Sequence, residues 1–199
     1  MHSNCAILNK NLYGSKFEYP LKDGAKLKVG LKLGGQHQIE NAVLSIKACE
    51  LLGIPYCAIK SGLERTVMNG RMEQVDESPI VILDGGHNPA CAEALSEFIK
   101  NSFIGKNIVF VIAMMNDKDK ESYIKLIVEN SFAVICCDLK YERAEKGKAL
   151  LKFVSKYQDK SYYESNPKQA LKKAKKIAGE DGVVVVCGSF YLLGEILDK

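Results

Sequence analysis

No stretch of this sequence approaches the roughly 20 consecutive apolar residues that a membrane-crossing helix needs. The amino terminus, "MHSNCAILNKNLYG", has no basic start leading into an apolar core of signal-peptide length. These two absences give the expectation of a soluble, cytoplasmic protein with no membrane partner. Histidine is scarce, at 3 residues, and none of the 7 cysteines forms a C-x-x-C pair, so no His/Cys set has zinc spacing. Cys136 and Cys137 are adjacent, and Cys49, Cys57, Cys91 and Cys187 fall in apolar segments, which reads as buried thiols in a reducing compartment. A strong charge of either sign is missing too: 28 basic and 24 acidic residues leave a net +4. Much of that excess lies in "PKQALKKAKKIAG", and the balance is too mild to imply a nucleic-acid partner. G-x-x-x-x-G-K-[ST] is absent, which excludes a phosphate-cradling loop of that type within the sequence. The lack of G-x-G-x-x-G weakens a dinucleotide-dehydrogenase reading, and the lack of G-x-S-x-G argues against a hydrolase built on that elbow.

What is present is an ordinary globular composition, 47% hydrophobic and 26% charged over 199 residues, enough for one or two domains with a real core. The first 35 residues are short alternating runs, "CAIL", "SKFEYPL" and "KLKVGLKL", punctuated by "YG", "KDG" and "LGG". That pattern predicts two or three antiparallel strands, a sheet too small to stand without something packed on it. In "QHQIENAVLSIKACELLG" the period changes. Ile39, Val43, Ile46, Ala48 and Leu51 recur at helical steps before Gly53, so a helix is expected. "PYCAIKSGLERT" predicts a second helix with Pro55 in its first turn, and "VMNGRMEQVDESP" a loop with a short strand.

From residue 79 on, β-branched runs alternate with amphipathic helices. "PIVILD", "NIVFVIAMM", "FAVICCDL" and "GVVVVCG" are separated by "NPACAEALSEFIKN", "KDKESYIKLIVEN", "AEKGKALLKFVSKY" and "PKQALKKAKKIAG", and "SFYLLGEILDK" follows the last strand. Unbroken apolar strands are buried on both faces, so the fold class is α/β: a Rossmann-like, mostly parallel sheet with helices on both faces. Ligands of such sheets sit beyond the carboxyl ends of the strands. The candidate loops are therefore "DGGHNP", "MMNDKD", "DLKYERA" and "CGSF".

In "DGGHNP", Asn88 and Pro89 have the pattern of a helix cap and first helical residue, whereas an acid and an imidazole at that edge suit ligand contacts. Asp84 there can accept from ribose hydroxyls, and His87 can meet an anion or a carboxylate. Ser189 of "CGSFYL" stands where a hydroxyl and helix-start amides face an anion. Arg71 of "NGRM" offers a two-pronged donor suited to phosphate. Lys118 of "NDKDKE" reads as part of a solvated charged loop, and His37 and Asn41 share one face at the start of the early helix.

Taken in order, "GGQHQIENA", "NGRME", "LDGGHNP", "NDKD" and "VCGSFYLLGE" resemble the second half of the folylpolyglutamate synthase/dihydrofolate synthase family of the Mur ligase superfamily. Each piece is short, and the specificity lies in their combination and order. The resemblance implies an ATP-dependent amide ligase. Such an enzyme phosphorylates a folate or dihydropteroate carboxylate to an acyl phosphate, which the amino group of L-glutamate then attacks, with ATP and glutamate between two domains. On the matching positions it implies ATP contacts from Asn41, Arg71 and Asp84. It implies contacts with glutamate, or with the reacting phosphate end, from His87 and Ser189, which are the candidate catalytic residues. It also implies a domain layout: 1–54 as the tail end of a central ATPase domain (a small antiparallel hairpin and helix), 55–78 as connecting helix and linker, and 79–199 as the carboxyl-terminal domain. The family's phosphate loop and Mg2+ ligands belong to a preceding ATPase part that this sequence does not contain, so the 199 residues alone are expected to be inactive. Gly86 stands where the family usually has a small residue such as Ala, a departure expected to be harmless. Two other readings compete: a non-catalytic module that binds a nucleotide or a protein partner, and a ligase domain of the cell-wall branch.

Overall fold

A computed structural model describes residues 5–11 and 14–198. Residues 1–4, in the stretch read as lacking a signal core, and Tyr13 of the "YG" turn lie outside the described residues. The chain divides into two compact units between Asn69 and Gly70.

The first unit is the expected antiparallel sheet, with strands β1 (Ala6–Asn11), β2 (Gly14–Pro20) and β3 (Lys26–Leu31) in that spatial order. Alternation sends Phe17, Tyr19, Leu27, Val29 and Leu31 to one face, where the pairings Phe17↔Val29 and Tyr19↔Leu27 set the register. Gly24, at φ +84°, makes the turn between β2 and β3. Helix α1 (Gln36–Leu51) covers the sheet's apolar face with Ile39, Ala42, Val43 and Ile46. Ala48 and Leu51, counted in the apolar periodicity, are exposed. The 3.6-residue turn that carries the stripe from 39 to 43 and 46 brings round Glu50 next, not these two. Glu50 accepts from the hydroxyls of Tyr19 at 3.1 Å and Tyr56 at 2.7 Å, tying β2 and α1 to helix α2 (Tyr56–Arg65). Gly53, at φ +70°, closes α1.

The stretch 55–78, expected to connect two domains, is divided: α2 lies against β3 in the first unit, while β4 (Glu73–Glu77) is an edge strand of the second unit's sheet. That sheet holds β5 (Ile80–Asp84), β6 (Ile108–Ile112), β7 (Ala133–Cys137), β8 (Ser161–Glu164) and β9 (Val183–Cys187), in the order β4-β5-β9-β6-β7-β8. Every pairing is parallel except β4 with β5. The edge strand β8 has no apolar run to announce it. It is a half-buried "SYYE", and its parallel pairing with β7 is what defines it.

Helices α3 (Pro89–Ser102), α4 (Lys120–Val128), α5 (Gly147–Val154), α6 (Pro167–Ala178) and α7 (Phe190–Leu197) complete the unit. One strand parity, Val81, Leu83, Val109, Val111, Ile135, Val184 and Val186, packs on Ala170, Ala174 and Ala178 of α6 and on Leu192 and Leu193 of α7. The other parity, including Ile82, Phe110, Ile112 and Val185, is equally buried and faces α3, α4 and α5, which pack on one another in sequence. A strand with no exposed side must be apolar throughout, which is why these runs do not alternate. Cys136, Cys137 and Cys187 are buried as expected, and burial pushes the thiols of Cys136 and Cys187 up to about 12. Cys57 differs: it is exposed, on the outward side of α2.

Chain order and spatial order disagree at β9, which returns from β8 to lie between β5 and β6. β5 and β6 lead into α3 and α4 on one face, and β9 leads into α7 on the other. Their carboxyl ends therefore open a crevice at a topological switch point, where parallel sheets bind ligands.

Candidate functional site

Three loops meet at that edge. In the first, Asp84 ends β5, only 4% exposed, so its charge must be met inside the protein. Its Oδ1 accepts from the Gly86 amide at 2.8 Å and its Oδ2 from the Met72 amide at 3.1 Å. Met72 has the left-handed φ of +48°, a conformation that a carboxylate anchor on its amide helps to hold. Residue pattern placed Asp84 open to a ligand; the structure makes it a buried clamp between the Gly70–Met72 loop and the Gly85–Gly86 turn. The turn is held from the other side by Tyr123 of α4, fully buried, whose hydroxyl donates to the Gly86 carbonyl at 3.1 Å. Burial keeps that phenol protonated, well above its ordinary range.

His87 follows, half-buried, with Nδ1 3.2 Å from the Gly85 carbonyl. A carbonyl only accepts, so this contact places a proton on Nδ1, and in the neutral ring the lone pair is then on Nε2. Asn88 is the cap of α3: its Oδ1 accepts from the Cys91 amide at 2.9 Å, and Pro89 is the first helical residue. Gly86 is less interchangeable than its neighbourhood suggests, since a Cβ there would lie 2.6 Å from Asp84 Oδ1 and 2.7 Å from Cys91 Cβ.

The second loop carries Arg71. Its guanidinium lies 4.9 Å above the ring of Phe190, the first residue of α7. The same ring rests against Gly85, where a Cβ would come within 2.5 Å of it, and against Gly70. The Gly85 amide in turn donates to the Gly70 carbonyl at 2.8 Å. Phe190 thus acts as a platform that aims Arg71 and demands glycine at two positions. Its only traces in the sequence are Gly70 and Gly85, which stand in two different loops.

The third loop follows β9. Gly188, at φ +98°, brings its backbone so close to β6 that a Cβ would sit 2.7 Å from the Ala113 carbonyl oxygen. Ser189 then caps α7, its Oγ accepting from the Tyr191 amide at 3.1 Å. The hydroxyl proton is left to donate.

His87 and Ser189 line one cavity of about 220 Å³ together with Met115, Asp117, Lys118, Tyr141, Arg143, Gly188, Phe190 and Tyr191. The loops after β6 and β7 are tied there: the Asn116 amide donates to the Arg143 carbonyl at 2.9 Å and the Glu145 amide to the Met114 carbonyl at 2.9 Å. Asp117 is 3.3 Å from Lys118 Nζ and 3.4 Å from Arg143, and the Lys118 ammonium holds its carboxyl below the usual range. Two cations against one carboxylate leave an excess of positive charge, and so a site suited to an anion. Lys118, read as a solvated charge, and Arg143, which drew no attention inside "DLKYERA", both belong to it.

The structure therefore brings His87 and Ser189 together in one cavity, with Arg71 aimed beside them by Phe190 and Asp84 buried beneath. Asn41 belongs to the first unit, exposed on α1, with its Nδ2 3.5 Å from Gln38 Oε1. Among the described residues, no group of three or more His, Cys, Asp or Glu is placed to hold a metal ion, and no helix is long and apolar enough to cross a membrane. A group that fits a nucleotide's phosphate is present in the oriented guanidinium of Arg71.

Comparison with known proteins gives the same region a lineage. Residues 70–190 match the family model described as "Mur ligase, glutamate ligase domain". The dihydrofolate synthase/folylpolyglutamate synthase of Bacillus subtilis is 31% identical over 204 residues, covering 98% of this chain and 47% of that protein. The structure of Mycobacterium tuberculosis folylpolyglutamate synthase complexed with ADP superimposes with a TM-score of 0.87 at 24% identity, over 97% of this chain and 47% of that one. Escherichia coli FolC in complex with DHPP and ADP gives 0.82 at 25% identity, over 98% and 44%. The chain spans about half the length of the relatives it matches.

Proposed function

Because this chain belongs to the Mur ligase family through its glutamate ligase domain, we propose that it is the carboxyl-terminal part of an ATP-dependent amide ligase that adds L-glutamate to folate or dihydropteroate. The observation that carries the reading is the cation-rich cavity at the switch point, with His87 and Ser189 on one wall and Lys118 and Arg143 on another. A free amino acid with two carboxylates suits it, and relatives of this chain carry the names of glutamate-adding synthases.

In this reading the carboxylate to be extended is first activated as an acyl phosphate, with ATP the phosphoryl donor. The glutamate nitrogen attacks the acyl carbon, the C–N bond forms, and phosphate leaves with the C–O bond pair. Lys118 and Arg143 hold the carboxylates of glutamate, and the Ser189 hydroxyl donates to one of them. His87, proton on Nδ1, offers Nε2 to take the proton that the attacking amine must lose. Arg71 contacts ATP. Asp84 serves the same purpose from below, fixing the backbone on which Arg71 stands. An ATPase part like that of the family would supply the Mg2+ ligands and the phosphate loop that these 199 residues lack. Without that clamp phosphoryl transfer loses most of its catalysis, so the 199 residues alone do not turn over ATP.

The test is ADP release by the complete gene product supplied with ATP, Mg2+, L-glutamate and either dihydropteroate or a reduced folate. Release that depends on both glutamate and acceptor is expected. No release with any of these acceptors overturns the ligase reading and leaves a binding module in its place.

A further inference from the structure

A second cavity, about 330 Å³, adjoins the first on the same edge, lined by Lys140, Tyr141, Asn166, Lys168, Tyr191 and Glu195 among others. The two cavities share only two side chains, Tyr141 and Tyr191. Those rings are stacked, with centroids 4.2 Å apart and planes 22° from parallel, so together they form a partition. The neighbouring Tyr141 phenol raises the Tyr191 pKa above its ordinary value.

Both rings stand on fixed backbone. The Tyr191 amide donates to Ser189 Oγ in the first turn of α7. The Tyr141 carbonyl accepts from the Ala144 amide at 3.0 Å, in the loop already tied to the one after β6. The chemistry on the two sides is related but not equal. The near cavity presents Lys118, Arg143 and His87 against Asp117, while the far one presents Lys140 and Lys168 against Glu195 and Asp198. Cations therefore lie on both sides of the stacked rings.

We propose that the stacked pair Tyr141–Tyr191 sets the length of the amino acid that this site accepts, closing the near cavity behind a five-carbon dicarboxylate and excluding longer ones. This rests on the reading of the near cavity as a glutamate site. A methylene that a pocket refuses is worth roughly 10- to 200-fold in discrimination, so the partition is strong enough to act as a length selector.

The experiment compares L-glutamate with L-α-aminoadipate, one methylene longer, and with γ-glutamylglutamate, in the complete gene product. Tyr141→Ala and Tyr191→Ala each open the partition, and each is expected to raise kcat/KM for the longer acids relative to glutamate by about tenfold or more. Tyr141→Phe keeps the ring and is expected to return the wild-type ratio, which a general loosening of the fold would not do. Thermal unfolding checks that the alanine variants are folded, and two variants on different loops guard against the loss of one. A ratio unchanged in both alanine variants of an active enzyme overturns the partition alone. A wild type that uses neither glutamate nor its homologues overturns the ligase reading itself.

Discussion

Asp84 shows how one residue can matter to a site through the backbone it holds. Each carboxylate oxygen takes a backbone amide from a different loop, and those loops carry Arg71 and His87. Replacing it with Asn keeps the shape but turns one acceptor into an NH2 group facing an amide donor. A buried donor left unsatisfied costs about 1–3 kcal/mol, so Asp84→Asn is expected to lower stability by that amount, read as a shifted urea midpoint. It is also expected to weaken ATP binding by the complete protein, because the base under Arg71 is loosened. Stability equal to the wild type would mean the clamp carries no net energy. Residue identity announced an acid at a strand end; whether that acid faced a ligand or the backbone was decided by Met72, 12 positions away in sequence.

Among the elements, the first unit depends on a junction that spacing alone could not reveal. Glu50 lies on the buried stripe of α1 and accepts from Tyr19 of β2 and Tyr56 of α2. The Glu50 carboxylate, accepting the hydroxyl's hydrogen bond, pushes Tyr56 up from 10.0 to about 12. A raised pKa favours the protonated phenol in the folded state. The stabilisation is therefore complete below pH 10 and is lost as pH rises towards about 12. In an ultraviolet titration of phenolate, Tyr56 is expected to ionise late in the wild type and nearer its ordinary value in Glu50→Gln. A wild-type Tyr56 that ionises at its ordinary value would show the contact to be absent in solution. Helix limits were legible in advance because caps are local: Asn88 with Pro89, and Gly53, act within a few residues of themselves. The strand β8 was not, because its four residues gain their identity from pairing with β7.

For the whole molecule, the order of strands concentrates the site. β9 inserts between β5 and β6, so loops separated by more than 100 residues of chain share the carboxyl edge that carries His87 and Ser189. Titrating the isotopically labelled 199-residue chain with ATP and then L-glutamate is expected to shift amide resonances around Arg71, His87, Ser189 and Arg143. Resonances at the amino ends of the strands, near Lys106 and Gly182, should stay in place. Shifts confined to that far edge, or none at all, would remove the assignment of the switch point as the binding edge.

By itself the sequence determined the class of fold, the order of the helices and the loops worth inspecting, because hydrophobic period, caps and strand ends are properties of neighbouring residues. Its ordered motifs also pointed to a ligase family. Tertiary structure decided the division of labour within those loops. It buried Asp84, raised Phe190 under Arg71, drew Lys118 and Arg143 into the cavity and set Tyr141 against Tyr191. Each of these is a contact between segments far apart in the chain, and a one-dimensional pattern holds no distance between such segments until the sheet has brought them together.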